Sequence, residues 1–273
     1  AWYAAQRSTG WMMFGRSKLK STVTAELGSE ERAKLLAEID KLRAEIEQRE
    51  QQPHFVSDYT AYVRELMDKH PLDEAMSYAV GGSYDLTGSL LVQVLKGCGL
   101  EDGMSIIDLG CGSGRLAKHL GLNFERIDYL GIDIVQELLD YAQSQSPSTY
   151  RFQLNQTLSL PAPDASTDMV VIFSVITHLL HQESYVYLQE ARRVLRPNGR
   201  IVFSFLESER NWPIFQGMVD RAAAGSKDDQ LNMFTERSQI EAWAKHLDMG
   251  VLGYDFGLPH EGDGQTVAML AKR

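Results

Sequence analysis

The run Ile106-Ile107-Asp108-Leu109-Gly110-Cys111-Gly112-Ser113-Gly114-Arg115 constrains this 273-residue chain more than any other segment. An apolar strand enters three glycines at alternate positions, and a helical pattern begins at Arg115 and Leu116. Glycine admits φ above zero and lets the backbone approach a ligand with no Cβ in the way, so the turn reads as a nucleotide-type binding loop. Its spacing is Gly-x-Gly-x-Gly, not the Gly-x-Gly-x-x-Gly of dinucleotide sites. Strand, glycine turn and helix in that order open a doubly wound α/β sheet, with Asp108 where the strand ends.

A second strand, Ile127-Asp128-Tyr129-Leu130-Gly131-Ile132-Asp133, ends in a carboxylate about 20 residues after the last glycine. Doubly wound folds place there the acid that accepts hydrogen bonds from a ribose diol, which makes Asp133 the candidate for that role. Beyond it the chain alternates, with strands expected near 104–109, 127–132, 150–154, 168–174, 200–206, 250–255 and 265–271. Helices are expected near 114–121, 135–144, 183–195 and 235–247, the last with Thr235 as its N-cap. The run Asp168–Val175 is almost wholly apolar, as a central strand covered on both faces must be.

With Asp108, the glycine loop and Asp133 together, the sequence resembles the class I S-adenosylmethionine-dependent methyltransferases. Later landmarks follow in the expected order: Leu158-Ser159-Leu160-Pro161, the stretch Asp168–Leu179, and Leu195-Arg196-Pro197-Asn198-Gly199-Arg200-Ile201-Val202. The resemblance spans roughly Leu90 to the C-terminus. It implies a mainly parallel seven-stranded sheet with helices on both faces, a Rossmann-like fold whose final strand, around Thr266–Leu270, runs antiparallel. It also implies S-adenosyl-L-methionine as cofactor. Asp108 would lie near the methionine ammonium, Gly110, Cys111 and Gly112 would give close backbone contact, and Asp133 would hold the ribose. Ile134 would cover one adenine face, Asn155 and Gln156 would reach its edge, and Phe173 and Ser174 would line the space beneath the methyl group. Arg115 is either a further contact to a carboxylate or a solvated arginine, and Tyr78 and Tyr84 either neighbour the cofactor or pack at a helix junction.

The implied activity is methyl transfer to a small-molecule or sugar-like (glycan) acceptor, at oxygen rather than nitrogen or carbon. A hydroxyl acceptor needs a base, and histidine titrates near neutral pH. His178 is the candidate catalytic residue, with His181 second; the competing role for His178 is to order its loop. A non-catalytic cofactor-binding subunit is the alternative function, and a nicotinamide-dependent dehydrogenase a third.

Composition narrows the partners. A formal charge of −10 argues against a surface built for nucleic-acid phosphates. No apolar stretch reaches the length of about 20 residues that spans a bilayer, so no integral membrane segment is expected. Cys98 and Cys111 read as free thiols in a reducing compartment, with a cytoplasmic location as the expectation. His260, Glu261 and Asp263 read as a solvated turn, and no metal is expected.

Three regions emerge. Residues 1–28 form a basic, aromatic N-terminal arm to which no function is assigned. Residues 29–88 are a helical segment, and 89–273 the cofactor-binding domain, with an insertion near 207–234 that roofs the substrate. From Ser29 to Gln52 the chain lacks proline, and Leu35, Ile39, Leu42 and Ile46 follow a heptad seam. That helix is a candidate lid or homo-oligomer contact.

Overall fold

The computed structural model describes residues 31, 34–41, 54–226, 231–254 and 264–272. The chain divides into two units, Ala1–Gln51 and Gln52–Arg273. In the first, residues 31 and 34–41 are helical and Leu35 and Ile39 are half-buried. The arm, and Leu42 and Ile46 of the heptad, lie outside the described residues, as do His260, Glu261 and Asp263.

The second unit opens with three helices, α1 (His54–Lys69), α2 (Leu72–Ala79) and α3 (Tyr84–Gly97). Pro71 precedes α2, where its fixed φ suits a helix start, and Asp73 and Glu74 in the first turn face the positive end of the dipole. The rest alternates: β1 (Ser105–Leu109), α4 (Arg115–Asn123), β2 (Asp128–Asp133), α5 (Gln136–Gln145), β3 (Arg151–Leu154), β4 (Thr167–Ile172), α6 (His181–Val194), β5 (Leu195–Phe205), α7 (Trp212–Ala223), α8 (Arg237–His246), β6 (Met249–Tyr254) and β7 (Thr266–Lys272). A 3₁₀ turn, Ile176–His178, precedes α6.

The seven strands form one sheet in the order β3-β2-β1-β4-β5-β7-β6. The first five pair in parallel, and β7 runs antiparallel to both β5 and β6. The doubly wound expectation and the antiparallel final strand are both met. Successive residues of the inner strands point to opposite faces. Ile106, Tyr129, Met169, Val171 and Val202 therefore pack with α3 and α4, while Ile107, Leu130, Val170, Ile172 and Ile201 pack with α6 and α8. Burial on both faces is why these strands read as continuous apolar runs.

A third cluster joins Val63 and Met76 of α1 and α2 to Val135 and Leu138 at the start of α5. The N-terminal helices are thus packed beside the carboxyl end of β2.

Three expectations need correction. Helix α7 has no counterpart in the sequence reading; none of its side chains is buried, and Trp212 is 54% exposed. Glu236, not Thr235, precedes α8, and the Thr235 hydroxyl is buried with no partner among the described residues. Strand β4 ends at Ile172, so Phe173 and Ser174 lie beyond it, with Ser174 at φ +57°.

Candidate active site

Strand order reverses between β1 and β4, where open α/β sheets bind their ligands. The carboxyl ends of these two strands open onto a cavity of about 300 Å³. One wall is the glycine turn, another the end of β2, and Tyr59 of α1 and His178 of the 3₁₀ turn complete it.

All three glycines of the turn have positive φ, and two of them, Gly110 and Gly112, bring its backbone to the cavity. Gly110 at φ +74° and Gly112 at φ +56° both lie in the left-handed region. A Cβ on Gly110 would collide with Cγ2 of Val175, and one on Gly112 would fall 2.5 Å from Cγ1 of Val80. Gly112→Ala is therefore expected to cost about 1–3 kcal/mol of stability, measured by denaturant unfolding, and to narrow the cavity.

Asp133 holds this turn in place. Its Oδ2 accepts the Gly112 N–H at 2.8 Å, and its Oδ1 accepts the N–H groups of Ile134 at 2.8 Å and Val135 at 3.1 Å. It is only 5% exposed, and burial holds its acid above the ordinary carboxylate range although the three N–H bonds pull it back. A carboxylate has about four acceptor positions, so one is left for a ligand.

Asp108, at the end of β1, is 3% exposed and accepts the Tyr129 hydroxyl at 2.6 Å. Burial pushes it up to about 7, with the Asp133 charge adding to the rise and the Tyr129 and Arg115 contacts opposing it. Arg115 is not a solvated side chain. Its Nη1 donates to the Val80 carbonyl at 2.6 Å and to that of Gly82 at 3.3 Å, clamping the turn after α2 onto the glycine loop. The Ser113 hydroxyl donates to the Met76 carbonyl at 2.9 Å, and the Tyr84 hydroxyl to the Ser113 carbonyl at 2.7 Å. Tyr84 is thus a joint between helix and loop, whereas Tyr78 lines the cavity and is 46% exposed.

His178 lines the cavity with its ring 6.5 Å from that of Tyr59, centroid to centroid. Its Nδ1 lies 2.8 Å from the Leu231 carbonyl. A carbonyl only accepts, so Nδ1 carries the proton and Nε2 keeps its lone pair. Burial lowers the imidazole's affinity for a second proton, against the opposing pull of Leu231. His181, the second candidate, spends Nε2 on the Phe234 carbonyl at 3.0 Å and packs edge-on against Trp243, outside the cavity.

The structure brings Asp108, Gly110, Cys111, Gly112, Asp133, Ile134, Asn155, Phe173, Ser174 and His178 to one cavity. Gln156 is not among its lining residues; its amide donates to the Ile134 carbonyl at 2.9 Å. The Asn155 side chain is bound within its own loop, donating to the Thr157 and Ser159 carbonyls and accepting from Thr157. Tyr59, Leu231 and Gln265 line the cavity without having been marked in the sequence. Nothing local singles them out, because each arrives from a distant element. Among the described residues, no group of His, Cys, Asp or Glu is placed to hold a metal ion, and no helix is long and apolar enough to cross a membrane.

Residues 107–203 match the family model described as a methyltransferase domain. The chain is 32% identical over 147 residues to a malonyl-[acyl-carrier protein] O-methyltransferase of Yersinia pestis, covering 51% of this chain and 52% of the relative. It is 27% identical over 152 residues to a fatty-acid O-methyltransferase of Mycolicibacterium smegmatis, covering 54% and 52%. The chain thus spans about half the length of the curated relatives it matches. Among solved structures, magnesium protoporphyrin IX methyltransferase from Synechocystis with bound SAH shares the fold, with a TM-score of 0.55 at 14% identity over 73% of this chain and 86% of that one.

Proposed function

We propose that this chain, which carries a class I S-adenosylmethionine-dependent methyltransferase domain, transfers a methyl group to an oxygen of a small, largely apolar acceptor. The observation that carries the oxygen assignment is His178, whose Nε2 lone pair faces no protein partner among the described residues while Nδ1 is engaged. The apolar lining from Phe55, Val175, Leu179 and Leu231 favours a small acceptor over a glycan.

The residues present fit the cofactor. The cradle at Gly110 and Gly112 is space that a Cβ would fill, Asp133 keeps one acceptor position for a ribose hydroxyl, and Ile134 offers an apolar surface to the adenine. Asp108 would receive the methionine ammonium. S-adenosylmethionine supplies a methyl group bound to a sulfonium. The protein's part is to position the acceptor in the cavity and to take its proton at His178 Nε2.

The test is incubation with methyl-labelled cofactor and a panel of hydroxyl compounds and carboxylic acids, scoring S-adenosylhomocysteine release and O-methyl product. Cofactor binding without turnover on any member would leave the chain a cofactor-binding subunit instead.

Asp108 makes binding pH-dependent. An ammonium stabilises the ionised carboxylate, which in the free protein is populated above about 7. Cofactor affinity is expected to fall as pH drops below that value, by up to about tenfold per pH unit, with a proton released on binding. Titration calorimetry in buffers of different ionisation enthalpy measures both. For the free protein the sign is opposite: Asp108's contribution to stability is full below its ordinary value and is lost as pH rises through about 7.

A further inference from the structure

We infer that Gln265 binds the methyl acceptor, and that the acceptor presents a carbonyl-type oxygen beside its reacting hydroxyl, a carboxylic acid being the simplest such group. This rests on the methyl-transfer reading above and specifies its substrate class.

Gln265 immediately precedes β7, whose pairing with β5 sets Val267 across from Ser204 and Thr266 across from Phe205. The Ser174 N–H donates to Ser204 Oγ at 2.8 Å, which uses that hydroxyl as an acceptor. A serine hydroxyl has one hydrogen, and that of Ser204 goes to Gln265 at 2.5 Å. The atom of Gln265 that receives it is the oxygen, Oε1, and the Ser174 hydroxyl donates to the same oxygen at 3.3 Å. The Gln265 NH₂ group is left with two donors, no partner among the described residues, and a place in the cavity wall.

His178 offers the cavity the reverse. With Nδ1 committed to Leu231, its Nε2 only accepts. A donor-only group and an acceptor-only group in one apolar cavity are complementary to a ligand carrying both a C=O and an O–H. A simple alcohol has a single oxygen with which to serve both groups, whereas a carboxylic acid brings a separate oxygen to each, and any donor left unpaired is penalised in a site built to hydrogen-bond a ligand. In the transfer, the acceptor's O–H bond breaks and its proton passes to His178 Nε2. The oxygen's electron pair forms the new O–CH₃ bond, and the S–CH₃ pair stays on sulfur, which leaves as a neutral thioether.

The test compares octanoate with 1-octanol, titrated calorimetrically at mildly acidic pH into the protein saturated with S-adenosylhomocysteine. The wild-type chain is expected to bind octanoate about tenfold tighter or more, taking up a proton as it does. Q265L should abolish that preference while keeping its affinity for S-adenosylhomocysteine. Q265E, which keeps an oxygen toward Ser204 and replaces the donors with an acceptor, should bind octanoate most weakly; it also serves if Q265L fails to fold. Equal binding of the two probes to the wild type would overturn the proposal, as would a preference that survives substitution. A loss of S-adenosylhomocysteine affinity as large as the loss for octanoate would do the same, by moving Gln265 to the cofactor. A wild-type chain that does not bind S-adenosylhomocysteine at all would instead bring down the methyl-transfer reading itself.

Discussion

With an acceptor whose hydroxyl is not ionised at the assay pH, His178→Ala is expected to lower turnover by about 10²–10⁴-fold while leaving cofactor affinity unchanged. The loss follows from removing the Nε2 lone pair, the group placed to take the acceptor's proton. Because burial lowers the imidazole's second protonation, wild-type kcat should be flat from neutral pH upward and fall only on the acid side of the ordinary histidine value. The same side chain also ties down Leu231, so alanine alone would confuse chemistry with loop order. His178→Asn separates them, since its amide offers a donor in place of Nδ1 and no base. If both variants lose turnover and added imidazole restores it, the ring is the proton acceptor. Near-normal turnover in His178→Asn would return the residue to holding its loop.

Asp133→Ala should cost about 2–4 kcal/mol of folding stability, because it strips the buried N–H groups of Gly112, Ile134 and Val135 of their shared acceptor. In a chain of this size that corresponds to a melting temperature lower by about 2–4 °C per kcal/mol. Cofactor binding should weaken by a further 1.5–3 kcal/mol or so, the scale of a hydrogen bond to a charged group. Thermal unfolding with and without S-adenosylhomocysteine reads both effects. An unchanged dissociation constant would remove Asp133 from the ribose role and leave it as the brace of the glycine turn.

The parts of this site legible in the sequence are those whose chemistry is local. Asp108 and Asp133 stand out because each ends an apolar strand, and the glycines because alternate positions free of Cβ mark a turn. His178 is visible as a titratable residue just past a central strand. Asn155 lines the cavity, but its amide is consumed by the turn it makes with Thr157 and Ser159, a local bond that only the folded loop reveals. Arg115 reads in the sequence as either a carboxylate contact or a solvated arginine, because its actual partners, the Val80 and Gly82 carbonyls, are more than thirty residues away. Gln265 was illegible for the same reason: only the order of the sheet carries it to Ser174 and Ser204. Helix α7 falls inside the insertion marked at 207–234 without being read as a helix, and none of its side chains is buried.

The place of β7 between β5 and β6 has a consequence for how the chain is made. During synthesis β5 and β6 emerge first, and neither can complete its ladder until Thr266–Lys272 follows and inserts between them. Until then two strand edges stay open side by side, a state prone to pairing with other nascent chains. A chain cut just before Thr266 would keep the glycine turn and both buried acids yet carry that exposure permanently, and it should accumulate as aggregate at the temperatures where the full chain is soluble.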